Sequence, residues 1–406
     1  MNILVFNPGG NSLKASLVQC HSGQQYAFEA KALFSVAIDD IGHDAQLSTF
    51  KDKKKTATES VTAQSYEEAA ESLLQWWSQH TGERQLPPPD QTELIAIRVV
   101  HGAREFLKPT RIDPQVIASI VALEKLAPLH NKSSVEILKP IQSHFPGKPI
   151  YAVFDTAFHQ TIPEHASTYG IPIALAEKHQ IRRYGFHGIS HRYLLERYAH
   201  LAGKTPEACN IVTTHLESGC SVTAIRHGKS IDNTMGLTPL EGLMMGTRSG
   251  DIDPSIIALL MKEEQMPIDE IMTLLNKKSG LQGISELSLD TRILMKEYDT
   301  NPKAKLAMDI FTYRVRKAIG AMTAALGQVD AIVFGGGIAE NGTFVRQHVS
   351  EGLAGFGLEI DQAANENLIE IEGRLSTPDS RLQAWVIPTE EALQIAHECN
   401  QAFHAS

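Results

Sequence analysis

Cysteine, aromatic residues and positive charge are all scarce in this chain of 406 residues. The four cysteines, Cys20, Cys209, Cys220 and Cys399, form no CxxC pair. That excludes a zinc ribbon or a disulfide frame, and they read as free thiols of a reducing cytosol. Lys and Arg number 37 against 47 Asp and Glu, a net charge of -10, which excludes a broad nucleic-acid-binding surface. Local arginines can still grip a small anion against that balance. No apolar run of about 18 residues occurs, so no membrane span is expected. The stretch from Met1 to Gly10 lacks a basic start and meets Pro8-Gly9-Gly10, so it does not read as a signal peptide. Neither GxxxxGK[ST] nor GxGxxG is present, which excludes the two commonest glycine grips on nucleotide phosphates.

What the chain does have is a core. Hydrophobic residues make up 42% of it, enough for two domains. Short apolar runs at Ile3–Phe6, Leu94–Val100, Ile150–Phe154, Ile211–Thr214 and Ala331–Phe334 read as strands. Helical spacing over Tyr66–His80, with Ala69, Leu73, Leu74 and Trp77 on one side, predicts a helix, and another is expected over Arg192–Leu201. Lys51-Asp52-Lys53-Lys54-Lys55 reads as a solvated loop. Alternating strands and helices give an α/β class.

Three glycine turns follow strands: Asn7–Ser12, His215–Ser221 and Gly335–Asn341. Setting Ser221 over Ser12 aligns Gly219 with Gly10 and Ala224 with Ala15, a weak repeat at the halfway point. Glycine turns are mostly only turns, but each can offer backbone N–H groups to phosphate. Between them lies Thr234–Pro254, interrupted by Gly236, Gly242, Gly246 and Gly250 and ending in Arg248 and Asp251. It is too broken for one helix and too apolar for a surface loop. It reads as a buried irregular crossing with one ion pair, or as a mount for Arg248, whose planar fork suits a carboxylate or phosphate.

Polar residues at strand ends add to this. Arg98 lies inside a buried strand and requires a carboxylate or an anionic ligand. Asp155 ends an apolar strand, as a turn cap or as a site residue. His187 sits between Gly185 and Gly188, where a structural role is the simpler reading. Glu391 starts a helix and reads as a carboxylate on its dipole.

These segments together resemble acetate kinase and its propionate- and butyrate-kinase relatives, from Asn2 to about Ala396. The matching motifs are Asn7-x-Gly9-x-x-Ser12-Leu13-Lys14, Arg98–Gly102, Leu126–Asn131, Phe154–His159, Arg182–Gly188 and Thr234–Pro254. Asp290 with Arg292, Ser376–Ser380 and Val386–Thr389 complete the set. The resemblance implies two ribonuclease-H-like lobes of the actin and sugar-kinase type facing a central cleft. Residues 1–152 with 386–406 would form the N-terminal lobe, and 153–385 a nucleotide-binding, dimer-forming C-terminal lobe.

It also implies reversible phosphoryl transfer from ATP to acetate or another short carboxylate, with magnesium, in a cytoplasmic homodimer. Asp155, Arg98, Arg248 and His187 would be catalytic. Arg98, Val100, Leu129, Phe186 and Pro239 would hold the substrate. Ser12, Lys14, His215, Gly219, Asp290, Arg292, Gly337, Ile338 and Asn341 would hold the nucleotide, and Asn7 and Glu391, with Asp155, the metal and its waters. The chain departs from the family's usual pattern in its phosphate loops: Gly10-Asn11 replaces two serines, and Glu217-Ser218 stands where glycine and asparagine are usual. Gly335-Gly336, Ala339, Ile97 and Ile189 are further departures. Two other readings share the motifs: a carboxylate kinase using pyrophosphate or polyphosphate, and a non-catalytic regulator binding nucleotide or acyl phosphate.

Overall fold

The structure is a computed structural model that describes residues 1–51, 54–81, 88–125 and 131–405. The chain divides into two units, Met1–Ala157 with Glu390–Ser406, and Phe158–Thr389.

The first unit is built on a sheet of eight strands: β1 (Asn2–Pro8), β2 (Leu13–Gln19), β3 (Lys31–Asp39), β4 (Gln46–Lys51), β5 (Lys54–Ser60), β6 (Leu94–Val99), β7 (Thr110–Arg111) and β8 (Ile150–Phe154). Their spatial order is β5-β4-β3-β2-β1-β6-β8-β7. β1 pairs antiparallel with β2 and parallel with β6, and β6 pairs parallel with β8. The runs Ile3–Phe6 and Ile150–Phe154 are wholly buried because these central strands are covered on both faces. The helix Tyr66–His80 forms over the expected residues; Ser65 Oγ caps it by accepting from the Glu68 amide at 3.2 Å. Its apolar side brings Trp77 against Phe34, with ring centroids 5.0 Å apart. The C-terminal helix Glu391–His404 packs on β1, β2, β6 and β8.

The second unit repeats this plan with β9 (Asn210–Leu216), β10 (Cys220–Arg226), β11 (Lys229–Asn233), β12 (Ala331–Gly335), β13 (Gly373–Arg374) and β14 (Gln383–Val386), in the order β11-β10-β9-β12-β14-β13. β9 is antiparallel to β10 and parallel to β12, and β12 is parallel to β14. The sequence β3-β2-β1-β6-β8 of the first sheet therefore recurs, sense for sense, as β11-β10-β9-β12-β14. This is the ribonuclease-H-like duplication that the motifs implied. The turn between β1 and β2 spans Gly9–Ser12, and that between β9 and β10 spans only Glu217–Gly219. No single offset therefore carries one loop onto the other. The helices Gly188–Leu201 and Pro302–Leu326 pack on β9.

Two local expectations change. The lysine run is not simply a loop: Lys51 ends β4, Lys54 and Lys55 begin β5, and Lys51 pairs with Lys54 across that edge hairpin. Residues 52 and 53 lie outside the described ones. The helix expected from Arg192 begins at Gly188, because His187 takes a left-handed conformation (φ 57°) and starts the helical turn. Among the described residues, no helix is long and apolar enough to cross a membrane. All four cysteines are free and buried. Burial pushes the Cys20 and Cys209 thiols up to about 11 and Cys220 to about 12.

Candidate active site

In the first unit the site residues sit at the ends of β1, β6 and β8. Arg98, the fifth residue of β6, is largely buried, and its guanidinium bonds the fully buried carboxylate of Asp155, just past β8. The buried cation thus has the partner its position requires. A second guanidinium nitrogen of Arg98 donates to Asn7 Oδ1 at 3.0 Å. Asn7 Nδ2 in turn donates to Glu391 Oε2 at 2.7 Å. Arg98, Asp155, Asn7 and Glu391 therefore form one connected polar group, assembled from three strand ends and the start of the last helix.

The oxygen donors of Asp155, Glu391 and Asn7 are the chemistry a hard cation takes, and magnesium commonly uses one or two carboxylates with waters and phosphate. Among the described residues no cluster of three or more His, Cys, Asp or Glu forms a cage of protein ligands. Val100 is buried directly after β6. Asn131, fully buried, grips His101 by both backbone groups at 3.0 Å. Leu129 lies outside the described residues.

The first turn is closed by Gly9 N donating to Ser12 O at 2.7 Å. A Cβ on Gly9 would meet Ser12 Oγ at 2.7 Å, so a larger residue there would have to turn the Ser12 side chain aside. Asn11 is turned aside, donating to Asp40 at 3.3 Å. Lys14 is exposed on β2 opposite Asn7 in register.

In the second unit the centre is Gly219. A Cβ there would lie 3.1 Å from His187 Nε2 and 3.5 Å from Arg248 Nη1. The imidazole and the guanidinium thus converge on a bare glycine, where a ligand can approach the backbone. Arg248 is held by donating to the Pro239 carbonyl at 3.2 Å and by the Met245 sulfur at 3.6 Å. The segment around it contains no helix or strand up to Ser255. Asp251 does not pair with Arg248; its carboxylate accepts from Gly242 N at 2.7 Å and closes the loop on itself. Gly242 (φ 102°) and Gly250 (φ 65°) supply the turns that place Arg248.

Behind His187 lies a group of buried imidazoles, of which the motif reading assigned a role to His215 but none to His191. His187 Nδ1 bonds Ser221 Oγ at 2.8 Å, Ser221 Oγ bonds His191 Nε2 at 2.8 Å, and His191 Nδ1 bonds Thr213 Oγ1 at 2.7 Å. The His215 ring lies 4.2 Å from that of His187, and its Nδ1 bonds Ser190 Oγ at 2.8 Å. Burial pushes His159 down to about 4 and holds His191 well below the usual imidazole range. The sequence signal for His191 was its spacing, four residues after His187, which precedes the helix Gly188–Leu201.

Glu217 is the departure that matters most. Its carboxylate lies 3.6 Å from His215 Nε2 and is about half exposed. It also adds to the upward push on the Glu340 carboxyl, which comes first from burial. Glu217 therefore leans over the second loop instead of facing away from it. Glu340 Oε1 accepts from Gly336 N at 2.8 Å and from Thr389 N at 2.8 Å, fixing the third loop. Gly336 (φ 85°) also lies against the Leu216 backbone, where a Cβ would come within 2.6 Å. Gly337, Ile338 and Asn341 lie in the single helical turn Gly337–Asn341, and Asn341 Nδ2 donates back to Gly337 O at 3.1 Å. Asp290 caps the helix Thr291–Lys296 and holds the exposed Arg292 through the guanidinium at 2.6 Å. That bond holds the Asp290 carboxyl below its ordinary range. Phe186 is buried, and its carbonyl accepts from His159 Nε2 at 2.9 Å.

Residues 2–397 match the model of the Acetokinase family. The chain is 40% identical to the acetate kinase of Chloroherpeton thalassium over 98% of both chains. It superposes on the crystal structure of Porphyromonas gingivalis acetate kinase with a TM-score of 0.87 at 34% identity, covering 98% of this chain and 99% of that one. A propionate kinase from Francisella tularensis matches with the same TM-score at 37% identity over 98% of both chains. Motif order and the duplicated sheet agree with those matches: the chain belongs to the acetokinase family and is an enzyme of the kinase class.

Proposed function

We propose that this chain catalyses reversible transfer of the γ-phosphoryl group of ATP to acetate or another short-chain carboxylate. A carboxylate oxygen attacks the γ-phosphorus, the bond from that phosphorus to the β,γ-bridging oxygen breaks, and ADP leaves with that oxygen. A carboxylate is a nucleophile at neutral pH, so no general base is needed. The work is positioning and neutralising charge on the moving group.

The observation that carries this reading is the convergence of His187 Nε2 and Arg248 Nη1 on Gly219. A permanent cation and a directional donor at one bare-backbone position suit the equatorial oxygens of a phosphoryl group. Arg98 holds the carboxylate substrate, while Asp155 keeps that guanidinium in place. Asn7, Asp155 and Glu391 position magnesium, which when bound neutralises phosphate charge. Val100, Phe186 and Pro239 provide apolar surface for a small acyl group. Ser12, Lys14, His215 and Gly219, with the turn holding Gly337, Ile338 and Asn341, contact the nucleotide; Asp290 and Arg292 flank it.

The enzyme works as a homodimer. Two adjacent helices of the second unit, Ser255–Glu263 and Ile268–Lys277, expose Ile256, Leu259, Met261, Ile268 and Met272, an apolar surface that favours a partner. Light scattering on the purified protein tests that mass.

The decisive experiment is an assay of acyl phosphate formation with acetate, magnesium and either ATP or pyrophosphate. Turnover with ATP is expected. Turnover with pyrophosphate alone would move the donor, and none with either, while nucleotide still binds, would favour a regulator.

A further inference from the structure

The buried chain Thr213–His191–Ser221–His187 has a direction that can be read from its protons. All four groups are at least nine-tenths buried. His191 is neutral, kept so by burial and by the neighbouring rings of His159 and His215. A neutral imidazole has one N–H and one lone pair, so His191 donates at one nitrogen and accepts at the other. Among the described residues, Thr213 Oγ1 has one partner, His191 Nδ1. Were Thr213 the acceptor there, its own hydroxyl proton would be buried without a partner, which is costly. Thr213 is therefore the donor.

The rest follows by exclusion. His191 Nδ1 accepts, so His191 Nε2 carries the proton and donates to Ser221 Oγ. The Ser221 hydroxyl proton then goes to His187 Nδ1. His187 Nδ1 accepts, so the neutral ring holds its proton on Nε2, the nitrogen beside Gly219 and Arg248.

We infer that Thr213 and Ser221 are positioning residues that set the tautomer of His187, so that it presents an N–H to the phosphoryl oxygens without having to be protonated. This rests on the phosphoryl-transfer reading for its consequence, but not for the tautomer itself. The reverse polarity would present a bare lone pair to an anionic oxygen, and only the doubly protonated ring could then donate. The titratable or charged groups that face His187 include His191, His215 and Arg248.

The test uses the full-length protein. Long-range proton–nitrogen NMR of histidine-labelled enzyme without substrate reads each tautomer directly. His187 is expected as the Nε2–H form in the wild type, and as a mixture or the Nδ1–H form in Thr213→Val. In kinetics, Thr213→Val is expected to lose roughly 10- to 100-fold in kcat with the KM for acetate little changed. It should also gain a limb of activity that falls as pH rises, because only the protonated ring then donates. Thr213→Ser should restore both. An Nδ1–H His187 in the wild type overturns the inference, as does Thr213→Val with an unchanged tautomer. A shifted tautomer with unchanged kcat and pH profile overturns the positioning role. Failure of the wild type to phosphorylate acetate, with the Nε2–H form present, would count against the function and leave the tautomer standing.

Discussion

Asn7 and Glu391 stand 384 positions apart and are joined by a hydrogen bond of 2.7 Å from the Asn7 amide to the Glu391 carboxylate. The bond ties the last helix to the end of the first strand, and the other end of the Asn7 amide holds Arg98 at 3.0 Å. One asparagine thereby fixes both the Glu391 carboxylate and the Arg98 guanidinium. The first unit needs the C-terminus of the chain to finish its polar group.

Arg98 and Asp155 should show strong coupling. Arg98→Ala leaves a fully buried carboxylate without its guanidinium. It is expected to cost about 3–5 kcal/mol of stability as well as nearly all turnover. Adding Asp155→Asn should recover most of the stability and none of the turnover. Denaturant unfolding of both single variants and the double variant measures the coupling; additive losses would mean the pair is not an energetic unit.

Arg248 offers a cleaner separation of folding from chemistry. It is partly exposed, and its guanidinium donates to the Pro239 carbonyl and to the Met245 sulfur. Arg248→Ala should leave thermal unfolding nearly unchanged and lower kcat by two to three orders of magnitude, roughly the effect of removing one transition-state donor. Near-normal turnover would take Arg248 out of the mechanism.

Glu217 leans on His215 and adds negative charge beside the second loop. Glu217→Gly should lower the KM for ATP by about fivefold. That is roughly 1 kcal/mol, kept modest because the side chain is about half exposed and screened. A raised magnesium requirement with slower turnover would show instead that Glu217 helps to hold the cation, and an unchanged KM for both would place it outside the donor site.

The buried histidines predict how stability depends on pH. His159 is pushed from 6.5 down to about 4 in the folded protein, first by burial, and His191 moves the same way. The unfolded chain binds those protons first, so their contribution is fully present above about 6.5 and is lost as pH falls toward 4. For His159 alone it amounts to roughly 3 kcal/mol. Unfolding free energies should fall steeply over that window, and His159→Gln should flatten the slope by up to one proton. An identical slope in the variant would show that His159 is not the titrating group.

The strands β1, β6, β8, β9 and β12 were legible in the sequence because they are central and covered on both faces, so they read as unbroken apolar runs. The Tyr66–His80 helix was legible from its one-sided apolar spacing, and the order of motifs carried the family resemblance and its roles. The start of the helix at Gly188 was not legible, because it depends on a left-handed His187 that only its packing can impose. The partner of Arg98 could be demanded but not named: burying a guanidinium requires a carboxylate, and the strand order decides that it is Asp155. Thr213 and His191 carry no motif, and Ser221 stood out only as the end of the second glycine turn. Their roles come from three short hydrogen bonds between two adjacent strands and a helix, and from the cost of a buried proton with nowhere to go. Local patterns determine which segments become strands and helices, while proton positions and charge pairings depend on which segments the fold brings within 3 Å of one another.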